Sequence, residues 1–343
     1  MLNIRKMRIA IHHNVGSFSD RWIAYCKEKN IDYKIVNAYS SDIIKQVKDC
    51  DAFLWHHDHN NYKDLIVAKK LLFALEHSGK LIFPNFNTGW HFDDKVAQKY
   101  LLEGIGAPLI SSYVFYDRIE AINWVKLTTF PKVFKLKGGS GSSNVLLVKT
   151  KNEALSLIKK SFGVGIVHHD FKSYAKEKLR HFTNNGYKIS DLLKIVYKFF
   201  ISSELSKHIS RERDYVYFQD FCPNNDHDVR IILINNRAFA INRIVRDNDF
   251  RASGSGLIDY DKNKIDLKCV ELAFVINKRL KSDCVSYDFI YKDGKPLVVE
   301  ISYGFSSKYY RKCLGFWTED LKWNEGKFYA EDWIINDIIE KFK

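Results

Sequence analysis

Pro131–Val148 reads PKVFKLKGGSGSSNVLLV: a lysine-bearing strand runs into glycines and serines and leaves as an apolar strand. Side chains alternate along a strand, so Val133, Lys135 and Lys137 fall on one face and Phe134 and Leu136 on the other. One face is basic and the other is core. The small residues that follow, Gly138, Gly139, Ser140, Gly141, Ser142 and Ser143, allow backbone N–H groups to approach and bind a polyphosphate. An ordinary flexible hairpin loop has the same composition, so the rest of the chain has to decide.

The chain has 343 residues, 46% of them hydrophobic and only five of them proline, which suits two or three domains with sizeable cores and argues against disorder. The apolar run in MLNIRKMRIAIHH is too short for a signal sequence, and no stretch approaches the roughly 20 apolar residues of a spanning helix. A cytoplasmic location is expected. Cys26, Cys50, Cys222, Cys269, Cys284 and Cys313 are scattered without a CxxC pair, so they read as reduced thiols rather than as a disulfide framework or a zinc site. Lysine and arginine number 54 against 41 acids, and the resulting +13 favours an anionic partner. No zinc-finger, basic-zipper or RNP-like pattern accompanies this charge, so nucleic acid is not the expected partner.

Over residues 1–88 short apolar strands alternate with helices, which predicts a small parallel α/β domain. His56, His57 and His59 in HHDH lack neighbours that would complete a metal-ligand set; they, like His12 and His13, are expected as polar groups at exposed strand ends. NTGWHFDD, residues 87–94, leads into a helix from Lys95 to Leu102, with Asp93 and Asp94 at its positive end. A first lobe over 89–216 contains the glycine-rich stretch and, at 161–213, a densely basic helical insertion. That insertion packs on the body, covers a site, or rests on an anionic membrane surface or glycan. A second lobe over 217–343 is strand-rich, with hairpins at 228–245 and 287–302 and a final amphipathic helix from 330.

Two constellations in the second lobe carry chemistry. Asp288 and Glu300 each sit in an apolar strand of the last hairpin, where a carboxylate is costly unless it is paired or metal-bound. A two-residue Asp293-Gly294 turn would put them on opposite faces, so a loop of three or five residues with a bulge near Gly294 is expected to bring them together. With Ser302 two residues on, they make an oxygen-rich site suited to Mg²⁺; a pair of acids salt-bridged to lysines is the other reading. In the first hairpin, pairing about Asn235-Asn236 sets Asp228 opposite Arg243 and Arg230 opposite Ile241 on one face, and Arg251 follows beside a small-residue loop. Three converging guanidinium groups suit phosphate or carboxylate, while a structural ion-pair network would use the same residues.

The order of these parts resembles the ATP-grasp superfamily. The resemblance covers residues 1 to about 305 and rests on Lys95, PKVFK ending at Lys135, GGSGSSNV, YFQDFCP, DVR, Arg243 in NR, FRASGSG, YDFI and VVEIS. A Walker loop or a protein kinase places its glycines before the lysine, whereas here the lysine comes first. The resemblance implies an ATP-grasp fold, α/β and α+β, with an N-terminal pre-ATP-grasp α/β domain. It implies ATP and Mg²⁺ as cofactors, with Lys95, Lys135 and the 138–143 loop, beside Lys137, on the ATP phosphates. Gln219, Asp220 and Phe221 would hold adenine and ribose, and Asp288, Glu300 and Ser302 the metal. Arg230, Arg243 and Arg251 would orient the γ-phosphate or the acyl substrate. Ser302 stands where the family usually has Asn. The activity implied is a ligase joining a carboxylate to an amine through an acylphosphate, and a similarity to ATP-grasp proteins of surface-polysaccharide gene clusters suggests an acidic sugar. A kinase acting on an anionic hydroxyl compound and a non-catalytic ATP-binding regulator are the alternatives.

Overall fold

Capping and turn chemistry set the N-terminal strands and helices. Ser17 accepts the Ser19 N–H to start α1 (Phe18–Glu28), and Asn61 accepts the Lys63 N–H to start α3 (Tyr62–His77), with the short α2 (Ile43–Gln46) between them. They alternate with β1 (Arg8–His12), β2 (Asp32–Val36), β3 (Ala52–Leu54) and β4 (Leu81–Phe83), which pair in parallel in the order β2-β1-β3-β4. The order reverses between β1 and β3, the position at which parallel sheets open a crevice at their carboxyl ends. The computed structural model describes residues 6–139, 144–167, 211–247 and 249–343, which form two compact units. Ser140, Gly141, Ser142 and Ser143, and most of the 161–213 insertion, lie outside the described residues.

One unit comprises Asp93–Lys99 and Ile110–Phe221. Its antiparallel sheet runs β5-β8-β6-β7, from β5 (Ser112–Phe115), β8 (Val216–Asp220), β6 (Lys132–Lys135) and β7 (Val145–Val148). Phe134, Val148 and Phe218 bury against α6 (Arg118–Leu127) and α7 (Lys151–Ser161) through Ala121, Val125, Ala154 and Ile158. Because β8 pairs with both β5 and β6, this lobe extends through β8 to Phe221, beyond the expected boundary at 216.

The other unit joins Met1–Phe92, Tyr100–Leu109 and Cys222–Lys343. Its larger sheet runs β13-β12-β9-β10-β14-β15, built from β9 (His227–Ile234), β10 (Arg237–Ile244), β12 (Cys284–Lys292), β13 (Lys295–Ser302), β14 (Gly315–Thr318) and β15 (Trp323–Glu325). The two-residue β11 (Ile258–Asp259) pairs with β10. Val229, Ile231 and Leu233 face the helix α8 (Leu267–Leu280), while the alternate residues Ile232 and Ile234 enter a core with Phe18, Trp22 and Phe83 of the N-terminal domain. The last helix, α10 (Ala330–Phe342), closes that core with Ile334, Ile335 and Ile338. Arg21 forks onto Asp332 at 2.6 and 2.7 Å, and Tyr25 donates to Asn336 at 2.8 Å, fixing α1 against α10.

The last hairpin corrects the expected loop. Lys292 pairs with Lys295, so the turn is the two residues Asp293 and Gly294, at φ 53° and 71°, the left-handed geometry that Asp-Gly supplies best. The extra residue lies in β13 instead: Phe289 pairs with Val298 and Asp288 with Glu300, leaving Val299 as a bulge. One inserted residue was required to bring the acids together, and a bulge supplies it without spoiling the turn. All six cysteines are free and buried, and no helix of the described residues is long and apolar enough to cross a membrane.

Candidate active site

In the smaller unit the start of the glycine stretch is held by the helix α5 (Lys95–Gly104) and the residues before it. Lys95 Nζ donates to the Gly139 carbonyl at 2.7 Å, the Lys95 N–H to the Lys137 carbonyl at 2.8 Å, and the Gly139 N–H to Asp93 Oδ1 at 2.9 Å. Asp93 and Gly139 are both at positive φ, 55° and 105°. Asp94 starts the helix by accepting from the N–H groups of Val96 and Ala97. Lys135 and Lys95 are buried, whereas Lys137 is half exposed, 3.7 Å from Glu212. Its N–H donates to the Tyr215 hydroxyl at 2.8 Å, and burial, followed by Glu212, raises the pKa of that phenol.

On β8, Gln219 is buried and donates to Ser112 Oγ at 3.1 Å. Asp220 accepts from Lys132 Nζ at 2.6 Å. Lys132 was not among the expected site residues because its parity sets it with Phe134 on the apolar face. It is nevertheless buried, directly opposite Asp220 in the β6/β8 register, with Tyr113 and Trp124 rings 5.4 and 5.9 Å from its ammonium group. The only sequence signal for it was a lysine on an apolar strand face.

In the larger unit a row across four neighbouring strands carries charge on three of them. Ile241, Arg230, Asp288 and Glu300 stand directly opposite one another on β10, β9, β12 and β13, and Arg243 stands opposite Asp228 one step along. Arg230 forks onto Asp288 at 2.5 and 2.8 Å, Arg243 forks onto Asp228 at 2.6 Å for both bonds, and Arg243 also reaches Asp288 Oδ2 at 2.7 Å. Burial by itself would raise the Asp288 carboxyl, but Arg230 and Arg243 bring it down to about 2. It is therefore a carboxylate at neutral pH. Arg230 and Arg243 converge as the hairpin register predicts, whereas the Arg251 guanidinium is held by Asp249 at 2.8 and 2.9 Å. Asp288 is also salt-bridged to arginines, not to the lysines the alternative reading supplied.

Ser286 and Ser302 form the next pair along, with Ser286 Oγ donating to the Ser302 carbonyl at 2.9 Å. Ser302 Oγ accepts the Gly304 N–H at 3.2 Å in the turn that leaves β13. Among the described residues no group of three or more His, Cys, Asp or Glu gathers as a metal site. Asp288 and Glu300 nevertheless offer carboxylate oxygens from one face, and Ser302 a hydroxyl. Asp288 Oδ1, which accepts from Arg230 Nε, has a second lone pair. Two carboxylates completed by ligand oxygens are the usual protein share of an Mg²⁺ site, so the residues fit that ion.

The histidines differ from expectation. His12 and His57 are buried, not exposed. His12 Nδ1 accepts the Ala38 N–H at 3.0 Å, and the His57 ring packs against Phe92 and Tyr303 with centroids 5.1 Å away in each case. His56 stacks on Phe18 at 3.6 Å, and burial, partly offset by Asp58, brings it down to about 4. The physical reason is that β3 ends under the last core layer shared with Phe305 and Tyr303, so its polar end is roofed by aromatic rings.

Residues 201–316 match the RimK-like ATP-grasp domain. The whole chain is similar to a RimK domain ATP-grasp protein from Sphaerobacter thermophilus, at 14% identity over 97% of this chain and 99% of that one, with a TM-score of 0.54. The fold is ATP-grasp. The D-alanine–D-alanine ligase from Bacillus anthracis, solved with ATP, shares it at 16% identity over 89% and 91% of the two chains, TM-score 0.53. The biotin carboxylase domain of the Hydrogenobacter thermophilus 2-oxoglutarate carboxylase, solved with MgADP, shares it at 12% identity over 89% and 66%, TM-score 0.55. No curated protein matches the chain. The matched ATP-grasp segment contains β8, β9, β10, β12 and β13, and with them the whole Arg230–Asp288–Glu300 row. Lys95, Lys135 and the glycine stretch precede it.

Proposed function

We propose that this ATP-grasp protein is a ligase that uses ATP to activate a carboxylate and passes the acyl group to an amine. The observation that carries the reading is the Arg230–Asp288–Glu300 row, built across three strands and brought into register by a bulge at Val299. The named ligase and carboxylase relatives, solved with ATP and MgADP, support it. The carboxylate oxygen takes the γ-phosphoryl group, releasing ADP; the amine then attacks the acyl carbon, its C–O bond to phosphate breaks, and the amine gives up a proton. Lys95 and Lys135 bind the ATP phosphates, with Gln219, Asp220 and Phe221 on the base and sugar. Asp288, Glu300 and Ser302 hold Mg²⁺, which when bound neutralises phosphate charge. Arg230 and Arg243 keep Asp288 ionised and, with Arg251, orient the anionic groups; their guanidinium positions are fixed before substrate arrives, so little reorganisation is needed. The net charge of +13 favours an anionic acid, and acidic sugars are the class to screen first.

Phosphate release that requires both a carboxylate and an amine is the expected result, and a phosphorylated product without free phosphate would mark a kinase. Glu300→Gln, which leaves the Arg230–Asp288–Arg243 pairing in place, and Asp288→Asn with Glu300→Gln should each abolish Mg²⁺-dependent ATP turnover. Turnover surviving in the double variant would remove the metal assignment.

A further inference from the structure

At the carboxyl ends of β1 and β3 lies a hydrogen-bond donor to which the ligase reading assigns no role. His56 follows β3, and its Nδ1 accepts the N–H of Phe18, the first residue of α1, at 3.2 Å. A neutral imidazole that accepts at one nitrogen carries its proton on the other, so Nε2 is the N–H. The ring is stacked on Phe18 with 4° between planes and stands edge-on to Tyr303 at 5.9 Å, which fixes the direction of that bond. Nε2 has no hydrogen-bond partner among the described residues, and His56 as a residue is partly buried. A Cβ added to Gly304 would lie 3.5 Å from Nε2 and 3.6 Å from the Phe92 ring, in ordinary contact with both, so glycine leaves the space beside Nε2 unfilled. Gly304 is also the residue whose N–H holds Ser302 Oγ, at the end of the strand that carries Glu300.

We propose that His56 Nε2–H donates to the acyl oxygen of the carboxylate substrate, and that Phe18, His56 and Gly304 form the subsite for that acid. This rests on the ligase reading. A neutral imidazole held at a helix N-terminus polarises a carbonyl without adding formal charge, and a rigid donor aimed at the oxygen where charge develops is worth most at the acyl-transfer step. The arginines supply charge for phosphate; the acyl oxygen, which carries only partial charge in an acylphosphate, suits a neutral donor.

The test uses the full-length protein with ¹⁵N-labelled histidine, MgADP, and acetyl phosphate as the acylphosphate probe. The neutral Nε2–H form of His56 should be observed at pH 7, and acetyl phosphate, but not inorganic phosphate, should shift its Nε2 resonance. Gly304→Ala should preserve that tautomer and MgATP binding while weakening acetyl phosphate about 2- to 10-fold, the loss of one neutral hydrogen bond. His56→Phe, which keeps the ring stack but has no donor, should likewise retain MgATP binding and weaken acetyl phosphate by a similar factor. Intact MgATP binding by calorimetry with a silent Nε2, or wild-type acetyl phosphate affinity in both variants, overturns the subsite alone. Absence of MgATP binding in the wild type overturns the ligase reading and the subsite with it.

Discussion

Two aspartates, one buried and one partly buried, show how environment sets opposite behaviour for one residue type. Asp288, forked by Arg230 and touched by Arg243, stays ionised down to about pH 2. Its folded value lies below the unfolded value of about 3.9, so its stabilisation is present above that pH and is lost as pH falls through about 2. Asp337 on α10 is raised to about 6, by burial first, with Arg237 opposing at 3.9 Å and Asp283 adding to the rise. Here the sign reverses: the folded state binds the proton more tightly, so stability falls as pH rises through about 6. Asp337→Asn, which removes the charge, should stabilise the protein by roughly 1–2 kcal/mol at pH 7, and the difference should vanish below about pH 4. Urea unfolding at pH 4 and pH 7.5 checks it; a variant no more stable at pH 7.5 would contradict the assignment.

Among the elements, α1 and α10 are joined by an arginine as well as by the Tyr25–Asn336 bond and their shared core. Arg21 is largely buried, forks onto Asp332, pairs with Glu28 at 2.7 Å, and lies 4.1 Å over the Tyr329 ring. Arg21→Ala leaves Asp332 half-buried without that partner, and a loss of about 2–4 kcal/mol is expected, measured as a lower urea midpoint. Much of the element level was legible from sequence because it is local. The register about Asn235-Asn236 follows from turn chemistry, with Asn235 at φ 51°, and the parallel sheet follows from strand-helix alternation. The bulge at Val299 was not local in that sense. Parity required one extra residue, but Asp-Gly favours its own two-residue turn strongly enough to push the irregularity into the strand. His56 was misread for a related reason: an exposed strand end and one roofed by Phe18 and Tyr303 have the same sequence.

For the whole molecule, ligand binding offers the most direct measurement. A ligand that binds only the folded chain stabilises it by about 2.7 kcal/mol at one hundred times its Kd. MgATP should therefore raise Tm by several degrees, and Lys135→Ala and Lys95→Ala should each reduce the rise. An unchanged rise in both variants would remove the lysines from the ATP site. By itself the sequence determined the fold class, the order of strands and helices, and the lysine-before-glycine layout, because each rests on periodicity, caps and turns within a few residues. Only the tertiary structure decided that Lys132 meets Asp220, that Arg21 meets Asp332, and that His56 lies beside Phe18 and Gly304. Those partners are 88, 311 and 38 residues apart for the three measured bonds, and burial pairs such groups only after distant strands and helices have packed. The Pro131–Val148 stretch therefore pointed to the fold only together with the motifs around it, while the packing of strands and helices brought these distant side chains together.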